Sequence, residues 1–232
     1  NDQNAFVMPV SASNAGGQER CVSTSTRNQR SSELAEGPGG SFAAAFVSEA
    51  ANDDRLLIQL FDPAGNPGNA IEAAQAPTIG VCGIAWNGSK YLVTWDQGGP
   101  GVTTTGVVAR LMNPDGTFAG PAFAVMPGMN PSVEALNGRF CIAATRFATN
   151  PQFIDLWVKR LDADGSALDP ASGVAVSGGY HNGLTRTRTD GAQWFVCSHS
   201  QWTHNSSQAD AVIARVPFTG TPTTGSNPTP FS

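Results

Sequence analysis

Residues 86–95, WNGSKYLVTW, followed after a variable stretch by residues 107–125, VVARLMNPDGTFAGPAFAV, decide the architecture of this chain. Asn87-Gly88 between two apolar runs is the strongest short-range hairpin signal, because a two-residue turn needs positive φ and Gly supplies it without a steric penalty. Pro114-Asp115-Gly116 is a second turn with Gly in the position that favours positive φ. With the preceding run 78–86, TIGVCGIAW, the segment reads as four strands, at 78–86, 90–96, 107–112 and 118–125. Short connections make them an antiparallel meander.

The pattern occurs four times. The turn dipeptides are Gly39-Gly40, Asn87-Gly88, Asn137-Gly138 and Asp190-Gly191, and the runs after them are SFAAAFVS, SKYLVTWD, RFCIAATR and AQWFVCSH. A second anchor ends each repeat's third strand, in RLLIQLFDPAG, GVVARLMNPDG, LWVKRLDADG and AVIARVPFTG. A repeat of about fifty residues that forms one meander cannot bury both of its faces alone, so the copies must stack, and radial stacking gives a β-propeller. The predicted fold is therefore all-β, a propeller of four-stranded antiparallel blades forming one domain over 1–232, with repeats at approximately 11–75, 76–126, 127–177 and 178–232. Residues 5–10, AFVMPV, resemble the fourth strand of the second repeat (122–127, AFAVMP), and the tail TPTTGSNPTPFS makes a poor central strand. The amino-terminal strand is thus expected to complete the last of four blades. The alternative is that the chain is part of a longer array.

Composition sets further bounds. The 26 Gly and 16 Pro, with 13% charged residues, fit short strands joined by many turns. A net charge of -5, with only Lys90 and Lys159 as lysines, argues against nucleic acid or an anionic membrane as partner. Arg110, Arg160 and Arg215 read as one repeat position with a structural pairing or surface role. No run approaches the length of a membrane-spanning helix. A start at Asn1 without Met fits a mature chain whose leader has been removed, or a piece cut from a longer one. Four cysteines fit two disulfides in an oxidising compartment, and the pairing favoured by strand position is Cys21 with Cys82 and Cys141 with Cys197, with buried free thiols as the alternative.

The unit WNGSKYLVTW, variable loop, VVARLMNPDGTFAGPAFAV resembles the repeat of secreted bacterial β-propeller proteins, in which an aromatic strand precedes an Arg-Leu-Asp-x-Asp-Gly turn. The resemblance covers all four repeats, best in the second and third. It implies a secreted or cell-surface location and a binding role, and it names no ligand.

Candidate sites were sought on the loops and in the histidines. The loops 27–40, 98–106, 147–153 and 201–210 vary while the strands repeat, and Phe147, Asn150, Phe153, Trp202 and Asn205 offer aromatic and amide groups for a sugar or a protein surface. His181, His199 and His204 fall within 24 residues of the last repeat, and imidazole suits copper or zinc. The pair Trp202-x-His204 is similar to a motif of secreted copper-binding proteins of methane-oxidising bacteria. Asp162, Asp164 and Asp169 supply only fragments of a calcium loop, and their repeat counterparts are ordinary turns. Asp53-Asp54, Glu33 and Glu36 fall in segments that read as solvated turns. No nucleophile elbow, phosphate loop or zinc-protease motif is present. The expected function is therefore a non-catalytic extracellular module binding a glycan or protein, or assembling with itself, and needing no cofactor. Metal binding and a hydrolase acting on polysaccharide are the alternatives, the latter requiring two carboxylates in one cleft.

Overall fold

A computed structural model describes residues 6–7, 20–21, 27–98, 106–147, 154–201, 209–220 and 222, with side chains at 6–7, 20–21, 177–184, 199–201 and 209–212 excepted. Its strands are β1 (Phe6–Val7), β2 (Arg20–Cys21), β3 (Asn28–Glu36), β4 (Phe42–Glu49), β5 (Asp54–Phe61), β6 (Pro67–Ala76), β7 (Ile79–Trp86), β8 (Tyr91–Gln97), β9 (Gly106–Met112), β10 (Phe123–Pro127), β11 (Met129–Leu136), β12 (Arg139–Phe147), β13 (Ile154–Leu161), β14 (Val174–Thr189), β15 (Gln193–Gln201) and β16 (Ala209–Pro217). The first blade is β3-β4-β5-β6 and the second β7-β8-β9-β10, each an antiparallel meander. The third blade, β11-β12-β13-β14, runs without a break into the fourth, because β14 pairs with β13 through residues 174–180 and with β15 through residues 181–189. The fold is a β-propeller.

Stacking follows from the strands' two-sided apolar character. In β4 and β8 six consecutive residues are buried, as both faces of a sheet require when each is covered by a neighbour. Ala45, Val47, Leu56 and Ile58 meet Ile84, Val93, Trp95 and Met112 between the first two blades. Leu92, Ala109 and Leu111 meet Phe140, Ile142 and Leu161 between the second and third. Cys141, Leu156 and Val158 meet Trp194, Val196 and Val216 between the third and fourth.

Polar groups fix how the blades align. The innermost strand of every blade carries a register shift, at Arg30/Glu33, Ile79/Cys82, Met129/Ser132 and Asn182/Thr185. Such a bulge leaves backbone N–H groups off the ladder, and buried ones must find another acceptor. Asp54 Oδ2 accepts from Ile79 N–H of the next blade at 3.0 Å, while Asp96 accepts from Val81 N–H in its own blade and from Asn130 N–H of the next at 3.2 Å. Both aspartates are almost fully buried, and burial raises the Asp96 carboxyl above its ordinary range. Further ties run from the fourth blade to the third, where Thr185 Oγ1 donates to Asn130 O at 2.8 Å and Thr187 N–H to Ser132 Oγ at 3.0 Å.

A second set of ties sits farther out. Arg110 Nη1 donates to Ala73 O of the preceding blade at 3.1 Å, and Lys159 Nζ to Val125 O of its preceding blade at 2.6 Å. The strand register makes these two residues equivalent, since Arg110 lies opposite Val93 and Lys159 opposite Ile142. Arg160 shares its position with Arg215 instead, so the sequence grouping of Arg110 with those two is one residue out of phase. Lys159 is lowered from its ordinary range by burial. Arg160 is held by Asp169 at 2.6 Å.

Three sequence expectations are corrected. Residues 27–40 are not a rim loop: 28–36 form β3, the innermost strand of the first blade. Asp54 is not a solvated turn residue but a buried clamp. The expected disulfides are absent, because Cys82 and Cys141 are buried free thiols and Cys197 is an exposed one. Cys141 and Cys197 were assigned opposite parity by counting from the turn glycines. In the fourth hairpin, however, the Asp190-Gly191 pair sits one residue nearer the inner strand, so that Trp194, not Gln193, occupies the position of Phe140. Cys141 and Cys197 therefore point the same way around the ring and cannot meet.

Closure by residues 5–10 is not shown. Phe6–Val7 pairs with Arg20–Cys21 in a sheet of its own, and the side chains that would pack on the fourth blade lie outside the described residues. Inner strands pack as β3 on β7, β7 on β11 and β11 on β14, and among the described residues no packing of that extent joins β14 to β3. Arg186 Nη2 reaches Glu33 Oε1 across that junction at 3.2 Å.

If the aspartate clamps align the blades, Asp96→Ala strands two buried N–H groups and should lower the unfolding free energy by about 2–4 kcal/mol in urea titrations. Glu72→Ala, which breaks an exposed ion pair with Arg55, should cost no more than about 1 kcal/mol in the same assay.

Candidate active site

The four innermost strands line a cleft of about 400 Å³ on the axis, with Glu33, Glu36, Trp86, Glu134 and Arg188 on its walls together with small and apolar neighbours. The pairing register sorts these residues into layers. Glu33, Gly83, Ser132 and Arg186 lie opposite equivalent positions of their second strands, and so do Ala35, Ala85, Glu134 and Arg188. Converging inner strands leave little room. A Cβ on Gly83 would lie 2.8 Å from Thr94 Oγ1 and 3.2 Å from Val133 Cγ1. Against that background of small residues, charged side chains at Glu33, Glu134, Arg186 and Arg188 are departures from the repeat.

Electrostatics separate the carboxylates. Burial pushes Glu134 above its ordinary range and the nearby Glu36 charge adds to the shift, while the Ala135 N–H, 3.0 Å from Oε1, and the Arg188 charge pull the other way. Arg188 Nη1 stands 3.6 Å from Glu134 Oε2. Glu33 is engaged by Arg186, and Glu36 has no ion-pair partner among the described residues. Two carboxyls that repel each other, one holding its proton more firmly, are the arrangement by which an acid and a base coexist in one site. Trp86, tilted on Tyr91 at 4.7 Å between ring centroids, adds a partly exposed aromatic face.

The sequence-predicted site residues lie elsewhere. Phe147 is exposed at the end of β12, beside a separate cleft of about 680 Å³ shared with Arg146, Met126 and Pro127. Asn150, Phe153, Trp202, Asn205 and His204 lie outside the described residues. His181 and His199 stand on the paired strands β14 and β15, with His181 opposite Gln201 and His199 opposite Ala211, and their side chains are not described. Among the described residues no group of three or more His, Cys, Asp and Glu is placed to hold a metal ion. The turn aspartates of the calcium reading are otherwise engaged. Asp164 accepts from Ser166 N–H at 2.9 Å, and Asp169 holds Arg160.

Sequence reasoning missed Glu36, Trp86, Glu134 and Arg188 as site residues. The available signal was positional, since counting back six residues from Tyr91, Phe140 and Trp194, the aromatic residues that open the second strands, gives Ala85, Glu134 and Arg188.

No family model matches the chain, and no curated protein matches it in sequence. Solved structures do match in fold. An α-L-arabinofuranosidase from Lactobacillus brevis is 15% identical with a TM-score of 0.57, covering 93% of this chain and 83% of its own. An exo-1,5-α-L-arabinanase from a bovine ruminal metagenomic library is 11% identical with a TM-score of 0.53, covering 96% of this chain and 90% of its own. A thermostable family-43 glycoside hydrolase is 13% identical with a TM-score of 0.52, covering 88% and 78%. At these identities the likeness establishes the β-propeller fold alone. The expectation of a non-catalytic binding or assembly module is nevertheless corrected, because these three matched structures are named as glycoside-cleaving enzymes. Among the described residues no helix is long and apolar enough to cross a membrane.

The assignment of charges can be checked by carbon-13 NMR titration of the glutamate carboxyls. Glu36→Gln removes a like charge and should lower the apparent pKa of Glu134, and Arg188→Ala removes an opposite charge and should raise it.

Proposed function

We propose that this protein is a glycoside hydrolase acting on polysaccharide outside the cell, with the axial cleft as its active site. One observation carries the reading: Glu134, raised by burial and by the charge of Glu36, faces the same cleft as that unpaired carboxylate. Hydrolysis of a glycosidic bond needs such a pair. Glu134 donates its proton to the glycosidic oxygen as the carbon–oxygen bond breaks, and Glu36 accepts a proton from the water that attacks the anomeric carbon. The aromatic face of Trp86 stacks on a sugar ring, and Glu33, fixed by Arg186, offers acceptors to ring hydroxyls. The named activities of the arabinofuranosidase and the arabinanase support the reaction class and make arabinose-containing chains one arm of the first substrate panel. The extracellular setting is supported by the turn-rich, sparsely charged composition and no longer by disulfides.

Reducing-sugar release from a panel of neutral and acidic plant and bacterial polysaccharides tests the reading. Glu134→Gln and Glu36→Gln should each lower kcat by roughly 10²–10⁴ with little change in folding. In the wild type, kcat/KM should fall on the alkaline side as Glu134 loses its proton, at a pH above the ordinary glutamate range. A chain that releases no sugar from any member of the panel would overturn the proposal.

A further inference from the structure

We propose that Arg188 recognises a carboxylate on the substrate, and that the chain taken by the axial cleft is an acidic polysaccharide bearing uronate groups. This rests on the hydrolase reading for its reaction and on four observations of its own.

First, at the layer that holds Arg188 the first two blades place Ala35 and Ala85 and the third places Glu134, so the fourth blade alone projects a cation there. Second, Arg188 is pinned but not consumed. Its Nη1 donates to the Thr187 carbonyl at 2.8 Å, which fixes one corner of the guanidinium, and the Glu134 oxygen at 3.6 Å is beyond hydrogen-bond distance. The Nε–Nη2 edge has no partner among the described residues, and that edge is the fork that binds a carboxylate through two parallel hydrogen bonds. Third, Arg188 has the most exposed side chain of any ion-paired residue in the described structure, 67% accessible, and it borders the cleft. Arg186, two residues earlier, is already engaged by Glu33 at 3.2 Å and bridges blades, so the two arginines have separate tasks. Fourth, the charges balance. With the catalytic proton on Glu134, the carboxylates of Glu33 and Glu36 are matched by Arg186 and Arg188, and a substrate carboxylate enters without net repulsion. A neutral sugar chain has no use for an unfilled guanidinium fork beside the acid.

The test is binding, read by isothermal titration calorimetry in the Glu36→Gln background so that turnover is slow on the timescale of the titration. The probes are trimers of galacturonate, glucuronate and mannuronate, each compared with its own methyl ester, which keeps the sugar and removes the charge. At least one acid should bind tenfold or more tightly than its ester. Arg188→Ala should abolish that difference, Arg188→Lys should retain part of it, and raising salt should weaken the acid selectively. Thermal melts establish that the variants fold. The inference is overturned if no acid is preferred over its ester, or if Arg188→Ala leaves the preference intact. The two readings fail separately. Acid binding through Arg188 without sugar release by the wild type would sink the hydrolase and keep the recognition site, whereas release from neutral chains alone, unaffected by Arg188→Ala, would do the reverse.

Discussion

The blades are held in register at the axis by carboxylates buried against displaced backbone N–H groups. Every innermost strand bulges at nearly the same place, and each bulge presents amide groups that the sheet no longer satisfies. Asp54 and Asp96 meet that need across blade boundaries, and at the third junction the Ser132 hydroxyl accepts from Thr187 N–H while the Thr185 hydroxyl donates to the Asn130 carbonyl. Apolar packing between blades is extensive but non-directional, and it tolerates small rotations of one sheet over another. A hydrogen bond to a buried carboxylate does not. The geometry of the axial cleft therefore depends on these clamps more than on the larger hydrophobic layers outside them.

The same bulges aim the inner strands so that successive layers of side chains converge. Where the layer holds Ala35, Ala85 or Gly83, the strands simply pass. Where it holds Glu33, Glu134, Arg186 and Arg188, the convergence brings opposite charges together, and among the described residues these are the points where the third and first blades meet the fourth through ion pairs. A site made this way belongs to no single repeat. Each blade contributes one or two side chains that differ from the repeat consensus, and the scaffold sets their separation. That is how a fold built from near-copies acquires an asymmetric cleft with distinct acidic and basic groups.

The second and third blades were legible in the sequence because their turns carry Asn-Gly and Asp-Gly signals and their second strands, around Trp95 and Phe140, are short apolar runs bounded by those turns. The innermost strand of the first blade was not. NQRSSELAE buries only Gln29 and Ala35, and three of its nine residues are charged, since it runs along a cleft and packs less apolar surface than the strands outside it. Reading it as a loop concealed Glu33 and Glu36, and the active-site hypothesis was lost with them. The continuous strand β14 was equally hidden, because the third and fourth repeats divide at 177/178 in the sequence reading although the chain passes through that point extended from one blade to the next. Glu134 and Arg188 were individually visible, but their meeting depends on which strands share the axis, a tertiary fact. The cysteine pairing failed for a smaller reason: Asp190-Gly191 sits one residue earlier in its hairpin than Asn137-Gly138 does, so counting from the turn glycine reverses parity along the whole of β15.

The central claim is that the axial cleft, and not the loops of the outer rim, is where a saccharide binds and is cut. A crystal structure of the Glu36→Gln protein with a bound oligosaccharide tests it most directly. The account predicts a sugar ring stacked on Trp86 with a glycosidic oxygen within hydrogen-bond distance of a Glu134 carboxyl oxygen. An oligosaccharide seated instead in the outer cleft beside Arg146 and Phe147, with the axis empty, would contradict it.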